Sequence, residues 1–220
     1  SGALTVVEYK AVIEALLRSS KSAGFQLVSL NDFPGQGYAP VGILDPFWDS
    51  KGLVTPEEWR AFCAPTVALL RYPKSAWFDD ETFTAKAEVY NFGAAALKNA
   101  KIRWSVTDGN GKTIAKGSLK SQTVGIDGVF PVGEFSAPLG KVRGPQQLTV
   151  HLNVGETIGN SWNIWVYPRN PSLMQSDAEV LYTTEFGEQA RQYLAAGKKV
   201  VLTPRSEEHT SELQSLEAIS

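Results

Sequence analysis

Two stretches concentrate the side chains able to do chemistry. Residues 24–37 read Gly-Phe-Gln-Leu-Val-Ser-Leu-Asn-Asp-Phe-Pro-Gly-Gln-Gly, and residues 42–52 read Gly-Ile-Leu-Asp-Pro-Phe-Trp-Asp-Ser-Lys-Gly. In the first, the apolar run Phe25 to Leu30 stops abruptly at Asn31 and Asp32, and Phe33 and Gln36 follow on a Pro-Gly loop. In an enclosed parallel sheet, that is where a strand delivers polar groups to a ligand. Asp32 can accept hydrogen bonds from ligand hydroxyls or orient a neighbour. It can equally cap the loop by accepting from backbone N–H groups around Pro34-Gly35. Phe33 and Trp48 offer flat apolar faces. Trp48 is flanked by Asp45, Asp49 and Lys51, of which Asp49 and Lys51 can form a loop ion pair.

Other chemistries are excluded by composition. Cys63 is the only cysteine, so no disulfide forms within the chain, and His151 and His209 are the only histidines. A zinc site built from several His or Cys ligands therefore has no ligand set. His151 lies in Leu148-Thr-Val-His-Leu-Asn-Val154, an alternating pattern that reads as a sheet residue rather than a catalytic base. The segment Arg205 to Ser215 reads like an in-frame translation of a sequencing adapter, extending through residue 220. With one Arg and four Glu in that tail, the formal net charge moves from −2 for the whole chain to +1 without it. A nearly neutral chain does not favour nucleic acid or an anionic membrane as partner. No initiator Met opens the chain, whose one Met is Met174, so it is expected to be a fragment.

Around these residues the chain changes character near residue 66. Before it, Val6, Tyr9, Ile13, Leu16 and Leu17 share one helical face, and Glu8 and Glu14 read as solvated helix charges. Period-two alternation over a short buried strand, Phe25 to Leu30, places Gln26, Val28, Leu30 and Asp32 on one face and Phe25, Leu27, Ser29 and Asn31 on the other. Thr55-Pro-Glu-Glu58 predicts a helix start with Thr55 as N-cap, Pro56 in the first turn and Glu58 reaching back, and Pro65 ends that helix. From residue 66 to 170 the pattern is all-β. Strands are predicted over Val67–Leu70, Thr82–Asn91, Lys101–Thr107, Thr113–Thr123, Val132–Ala137, Gln147–Val154 and Asn160–Tyr167, with a hairpin turn at Asp108-Gly-Asn-Gly111. About seven short strands imply an immunoglobulin-like sandwich. Ala178–Tyr182, Glu185–Ala195 and Lys198–Thr203 then read strand, helix, strand, the opening of an α/β unit.

The motifs Leu30-Asn-Asp-Phe-Pro-Gly-Gln-Gly37 and Phe47-Trp-Asp-Ser-Lys-Gly52 resemble the last strand and loop of the catalytic barrel in family-two glycoside hydrolases, the beta-galactosidase and beta-glucuronidase relatives. The resemblance covers Val6 to about Tyr90. It implies a mixed fold: residues 1–65 as the end of a (β/α)8 TIM barrel, 66–170 as an immunoglobulin-like β-sandwich, 171–204 as the start of a truncated α/β domain, and 205–220 as non-native sequence. It implies a retaining glycoside hydrolase acting on β-linked sugars, a reaction that needs two carboxylates flanking the scissile bond. Both family glutamates belong to barrel strands four and seven, ahead of this stretch, so no catalytic residue is assigned here and the chain alone is expected to be inactive. Glu57 and Glu58 serve a helix start. Asn31, Asp32, Phe33, Gln36 and Trp48 are the implied carbohydrate-binding residues, with a lid-packing role as the alternative for Phe33. Many relatives carry Trp where Val28 stands, which removes a large contact surface and leaves the sugar open. Acid–base and covalent sugar chemistry implies no cofactor, and the resemblance favours a periplasmic or extracellular location. An isolated barrel end lacks both neighbouring strands and is expected to be loosely held.

Two further readings compete. The sandwich can be a non-catalytic module that binds carbohydrate or protein through Trp77, Trp104, Trp162 or Trp165, although Trp104 and Trp162 belong to apolar alternating sets that favour burial. Alternatively, the leading segment belongs to a barrel kept only as scaffold.

Overall fold

The computed structural model describes residues 2–19, 24–33, 35, 41–169 and 178–203, and the adapter-like tail lies outside them. The chain forms two compact units, Ser1–Pro168 and Arg169–Ser220. Helices α1 (Gly2–Leu17) and α2 (Pro56–Phe62) lead the first unit. Eight strands follow: β1 (Thr66–Arg71), β2 (Ala76–Phe78), β3 (Thr82–Asn91), β4 (Leu97–Asp108), β5 (Thr113–Val124), β6 (Gly128–Pro138), β7 (Gln146–Val154) and β8 (Ile158–Tyr167).

The strands form two facing sheets, β1-β3-β6 and β2-β8-β7-β4-β5. All pairings are antiparallel except β2 beside β8. Side chains of alternating positions meet between them: Phe83, Ala85, Ala87 and Val89 of β3 pack with Ile102, Val106, Leu148, Val150, Leu152, Trp162 and Ile164. Burying each of the Val, Leu, Ile and Phe side chains is worth about 1.5–3 kcal/mol, so this core carries the stability of the unit. Trp104 stacks on Phe135 at 4.5 Å, and a Cβ at Gly117 would come 2.8 Å from the indole, so only glycine leaves room for it. The predicted hairpin forms at Asp108–Gly111, where Asp108 Oδ1 accepts from the N–H groups of Asn110 and Lys112, both at 2.9 Å, and Gly111 takes φ +77°.

The barrel reading of the leading segment is overturned. The described residues form a β-sandwich with two helices against it and no parallel barrel strand. Phe25 to Leu30 does not form a strand. Its region makes isolated bridges, among them Asn31 to Leu44 and Leu44 to Ser50, and Val28 is 104% exposed. An apolar run becomes a buried parallel strand only when neighbours supply hydrogen bonds on both edges and cover on both faces. Among the described residues, no strand pairs with Phe25 to Leu30.

Instead, the helices close the sandwich. β1 is buried on both sides: Ala68 and Leu70 face the inter-sheet core, while Val67 and Leu69 face Ile13 and Leu17 of α1 and Phe62 of α2. That double burial explains the unbroken run Val67-Ala-Leu-Leu70. α2 starts as predicted, with the Thr55 hydroxyl accepting from Glu58 N–H and the Glu58 carboxylate accepting from Thr55 N–H.

Glu14 is the exception to the sequence reading. It is 3% exposed, not solvated. Its carboxylate pairs with Lys10 and with Arg18 Nη2 (2.8 Å), and accepts from Asn160 Nδ2 (2.9 Å) and Trp162 Nε1 (2.8 Å) on β8. The network continues into β1, where Asn160 Nδ2 donates to Ala68 O at 2.8 Å and Arg18 Nη2 to Leu70 O at 2.9 Å. β1 and the Ile158–Ile164 part of β8 are the edges of the two sheets on that side. Glu14 thus ties both edges to α1, a way of covering exposed strand edges. Burial pushes the Lys10 ammonium below its ordinary range, opposed by the Glu14 charge. Breaking a buried ion pair leaves an uncompensated charge and costs about 3–5 kcal/mol. Glu14→Gln is therefore expected to lower unfolding stability by about 3 kcal/mol in urea titration, whereas Glu8→Gln, on the exposed side of α1, leaves the midpoint unchanged.

The second unit contains β9 (Val180–Thr183), α3 (Glu188–Ala195) and β10 (Lys199–Leu202). β9 and β10 pair in parallel, Lys199 opposite Val180 through Leu202 opposite Thr183. Gly197, at φ +71°, turns the chain after α3.

Candidate functional site

The segment 24–33 and the loop 41–52 are joined through a tight polar knot. Asp32 is buried and accepts from Gly42 N–H at 2.9 Å and from Lys51 Nζ at 2.9 and 3.0 Å. Lys51 Nζ also donates to Gly42 O at 2.8 Å. The Asp32 N–H donates to Leu44 O at 3.0 Å, and Leu30 O accepts from the N–H groups of Ile43 and Leu44. Gly42 lies so close to the Asn31–Asp32 peptide that an added Cβ would sit 2.3 Å from the Asn31 carbonyl carbon. Asn31 is held locally, its Nδ2 donating to Asp32 O at 3.1 Å and its Oδ1 accepting from Ser29 Oγ at 2.9 Å.

A second carboxylate shapes the tip. Asp45 Oδ1 accepts from Phe47 N–H (2.8 Å) and Asp49 N–H (2.9 Å), and Asp45 N–H donates to Asp49 O at 2.9 Å. Trp48 is carried over the top at φ +72°, a conformation rare for a bulky residue and one that clusters at functional sites. Polar groups are consumed inside this loop system while its rings point out: Phe33 is 57% exposed, Phe47 82% and Trp48 64%.

Of the sequence-derived site residues, Asn31, Asp32, Phe33 and Trp48 fall in this one loop system, and Gln36 lies outside the described residues. Asp32 is turned inward, and Lys51 is its ion-pair partner rather than that of Asp49. Phe47 escaped the sequence reading, although its place beside Trp48 marks an aromatic pair. Among the described residues of this loop system, the Asp32 and Asp45 carboxylates are both engaged with backbone N–H groups, and Asp32 also with Lys51.

Of the tryptophans considered for a binding sandwich, Trp77 and Trp162 are core and Trp104 is packed on Phe135, while Trp165 is exposed. His151 sits in β7, within 3.2 Å of Thr107 Oγ1, and burial pushes its pKa below the ordinary 6.5, favouring the neutral ring. Among the described residues, no group of three or more His, Cys, Asp or Glu could hold a metal ion. No helix among them is long and apolar enough to cross a membrane.

Residues 81–168, the span from β3 through β8, match a sequence family described as a domain of unknown function, DUF8488. The chain is similar to the CARDB domain of a Pyrococcus furiosus protein determined with di-metal ions, at 12% identity and TM-score 0.36, over 47% of this chain and 94% of that one. It is also similar to a Parabacteroides merdae beta-glucuronidase (15% identity, TM-score 0.33, 47% of this chain and 14% of that one). A third likeness is to a cycloisomaltooligosaccharide glucanotransferase of a Paenibacillus species (14% identity, TM-score 0.35, 54% and 16%). No curated protein matches the chain.

The Asp32 knot makes a checkable claim about rigidity. Gly42→Ala is expected to speed hydrogen exchange across residues 41–50 by driving the loop off the Asn31 peptide. The sandwich, whose core it does not touch, should change by less than about 1 kcal/mol in urea titration.

Proposed function

We propose that the first unit is a non-catalytic β-sandwich module that binds carbohydrate through the loop system of Phe33, Phe47 and Trp48, with Asn31 at its polar margin. The observation that carries this reading is the inversion of the loop. Its charged groups, Asp32, Lys51 and Asp45, are spent on holding backbone, while three large rings face solvent. An aromatic ring meets the C–H side of a sugar by apolar contact, and neighbouring amides serve the hydroxyls. A rigid loop loses little entropy on binding, so exposed rings on a fixed backbone favour affinity. Affinity electrophoresis in gels containing soluble galactan or glucan measures it. The parent chain is expected to be retarded, and Trp48→Ala to bind at least tenfold more weakly, about 1.4 kcal/mol, with unchanged circular dichroism. Equal mobility of parent and variant in every gel would end the proposal.

A second reading is favoured by the two long motifs, residues 30–37 and 47–52. In it the chain is part of a retaining, beta-galactosidase-like glycoside hydrolase of family two acting on β-linked sugars, and the loop system is a rim of its substrate site. Asp32 then has an indirect role, through the backbone it fixes. Because neither catalytic glutamate is assigned to this chain, the purified chain is expected to release no nitrophenol from nitrophenyl β-glycosides, and sustained turnover would contradict that assignment.

A further inference from the structure

A pocket of ≈ 290 Å³ lies where the end of α1 meets the end of β3 and the β5–β6 turn, lined by Leu16, Leu17, Phe25, Tyr90, Phe92 and Asp127 among others. That volume is at the small end of ligand sites, which start at about 300 Å³. Three of these side chains are aromatic. Tyr90 and Phe92 stack with their centroids 4.7 Å apart, and Phe92 is still 50% exposed. Asp127 is the one charged side chain among the described residues that line the pocket. No cation among the described residues pairs with it.

A buried asparagine builds this corner. Asn91 Nδ2 donates to Gly125 O at 2.6 Å and to Ala95 O at 3.2 Å, and its Oδ1 accepts from Thr66 Oγ1 at 2.8 Å and Gly93 N–H at 3.1 Å. These bonds join the turn that carries Asp127 to the turn that follows Phe92, and Phe92 N–H itself donates to Pro65 O at 2.8 Å. The helix adds a second source of negative potential. A helix C-terminus carries partial negative charge that attracts cations. α1 ends at Leu17 with no basic residue in its last turn, and the following Arg18 is drawn to Glu14 and to Leu70 O. Ring faces, a carboxylate and a helix C-terminus thus converge on one small pocket.

We propose that this pocket binds the quaternary ammonium head of a small ligand, seated against Tyr90 and Phe92 with its charge answered by Asp127. A cation is attracted to a ring face within about 6 Å of the centroid. A primary ammonium would bring three N–H donors, and each needs an acceptor once it leaves water. Apart from the Asp127 carboxylate and the hydroxyls of Ser19 and Tyr90, the side chains lining the pocket are apolar. A methylated ammonium carries positive charge without N–H groups, so it is served by this lining where a lysine-type head is left short of acceptors. The pocket shares no residue with the loop of Phe33, Phe47 and Trp48, and its ligand is independent of any carbohydrate.

Proton NMR of choline titrated with the full chain tests it. The choline methyl signal is expected to move upfield, shielded by the ring faces, and to saturate in the millimolar range. Dimethylbutanol, its uncharged carbon isostere, should bind about tenfold more weakly, and salt should weaken choline but not the isostere. Phe92→Ala should weaken choline about tenfold. Asp127→Asn, which tolerates the left-handed φ of +61° at this position, should weaken it about threefold. Both variants should keep the parent circular dichroism, and Trp48→Ala should bind as the parent does. Equal binding of choline and dimethylbutanol would make the pocket merely apolar and overturn the proposal. So would the absence of a choline response, or full affinity in both Phe92→Ala and Asp127→Asn. Loss in Trp48→Ala with full affinity in Phe92→Ala would move the ligand to the loop, with the same result. Lys21 lies in sequence between the lining residues Ser19 and Gly24. Equal choline affinity in Lys21→Ala supports a free ligand, whereas tighter binding there would assign the pocket to that lysine and overturn the proposal.

Discussion

One buried carboxylate organises the first unit. Glu14 accepts from two cations on its own helix and from an amide and an indole on β8. A charge removed from water must have its lone pairs satisfied or the site does not form. Here satisfaction requires that α1, β1 and β8 converge, because Arg18 and Asn160 also serve carbonyl oxygens of β1. Hydrophobic burial would let α1 slide along the outer face of β1. The carboxylate specifies a single docked position, and with it the wall that Val6 and Lys10 contribute to a cleft over β8.

The loop system of residues 31–33 and 41–51 uses charge differently. Its carboxylates hold backbone N–H groups and one lysine, so the polar side chains stabilise shape and the apolar ones meet solvent. That is the reverse of a globular core. It suits a surface that recognises a ligand by contact area, since rings fixed in place give up little freedom when they bind.

The sandwich was legible because period two is a direct consequence of strand geometry. β3 begins and ends where its alternation does, and Thr55-Pro-Glu-Glu58 encodes its own cap. β2 was missed because three residues are too few to show a period. Phe25 to Leu30 misled for a physical reason: an apolar run states a need for cover, not who supplies it, and among the described residues no strand pairs with it. β1 carries a similar run and finds cover on both sides. Glu14 was misread because Lys10-x-x-x-Glu14-x-x-x-Arg18 is also the signature of an exposed helix ladder. The clue lay in its company, since Ile13 and Leu17 flank it on the face that packs. Of the site, aromatic exposure at Trp48 could be anticipated from its loop, but the inward turn of Asp32 could not, because it depends on where Lys51 and Gly42 arrive.

The separation of Glu14 from its β8 partners has a consequence for biogenesis. Asn160 and Trp162 lie 146 and 148 residues downstream, so on a ribosome α1 emerges long before its dock exists. Ile13 and Leu17 can meet α2 and β1 as soon as those are made, but the Glu14 carboxylate must wait for β8 until nearly the whole sandwich has been synthesised. Completing its hydrogen bonds is then among the last steps of assembling this unit.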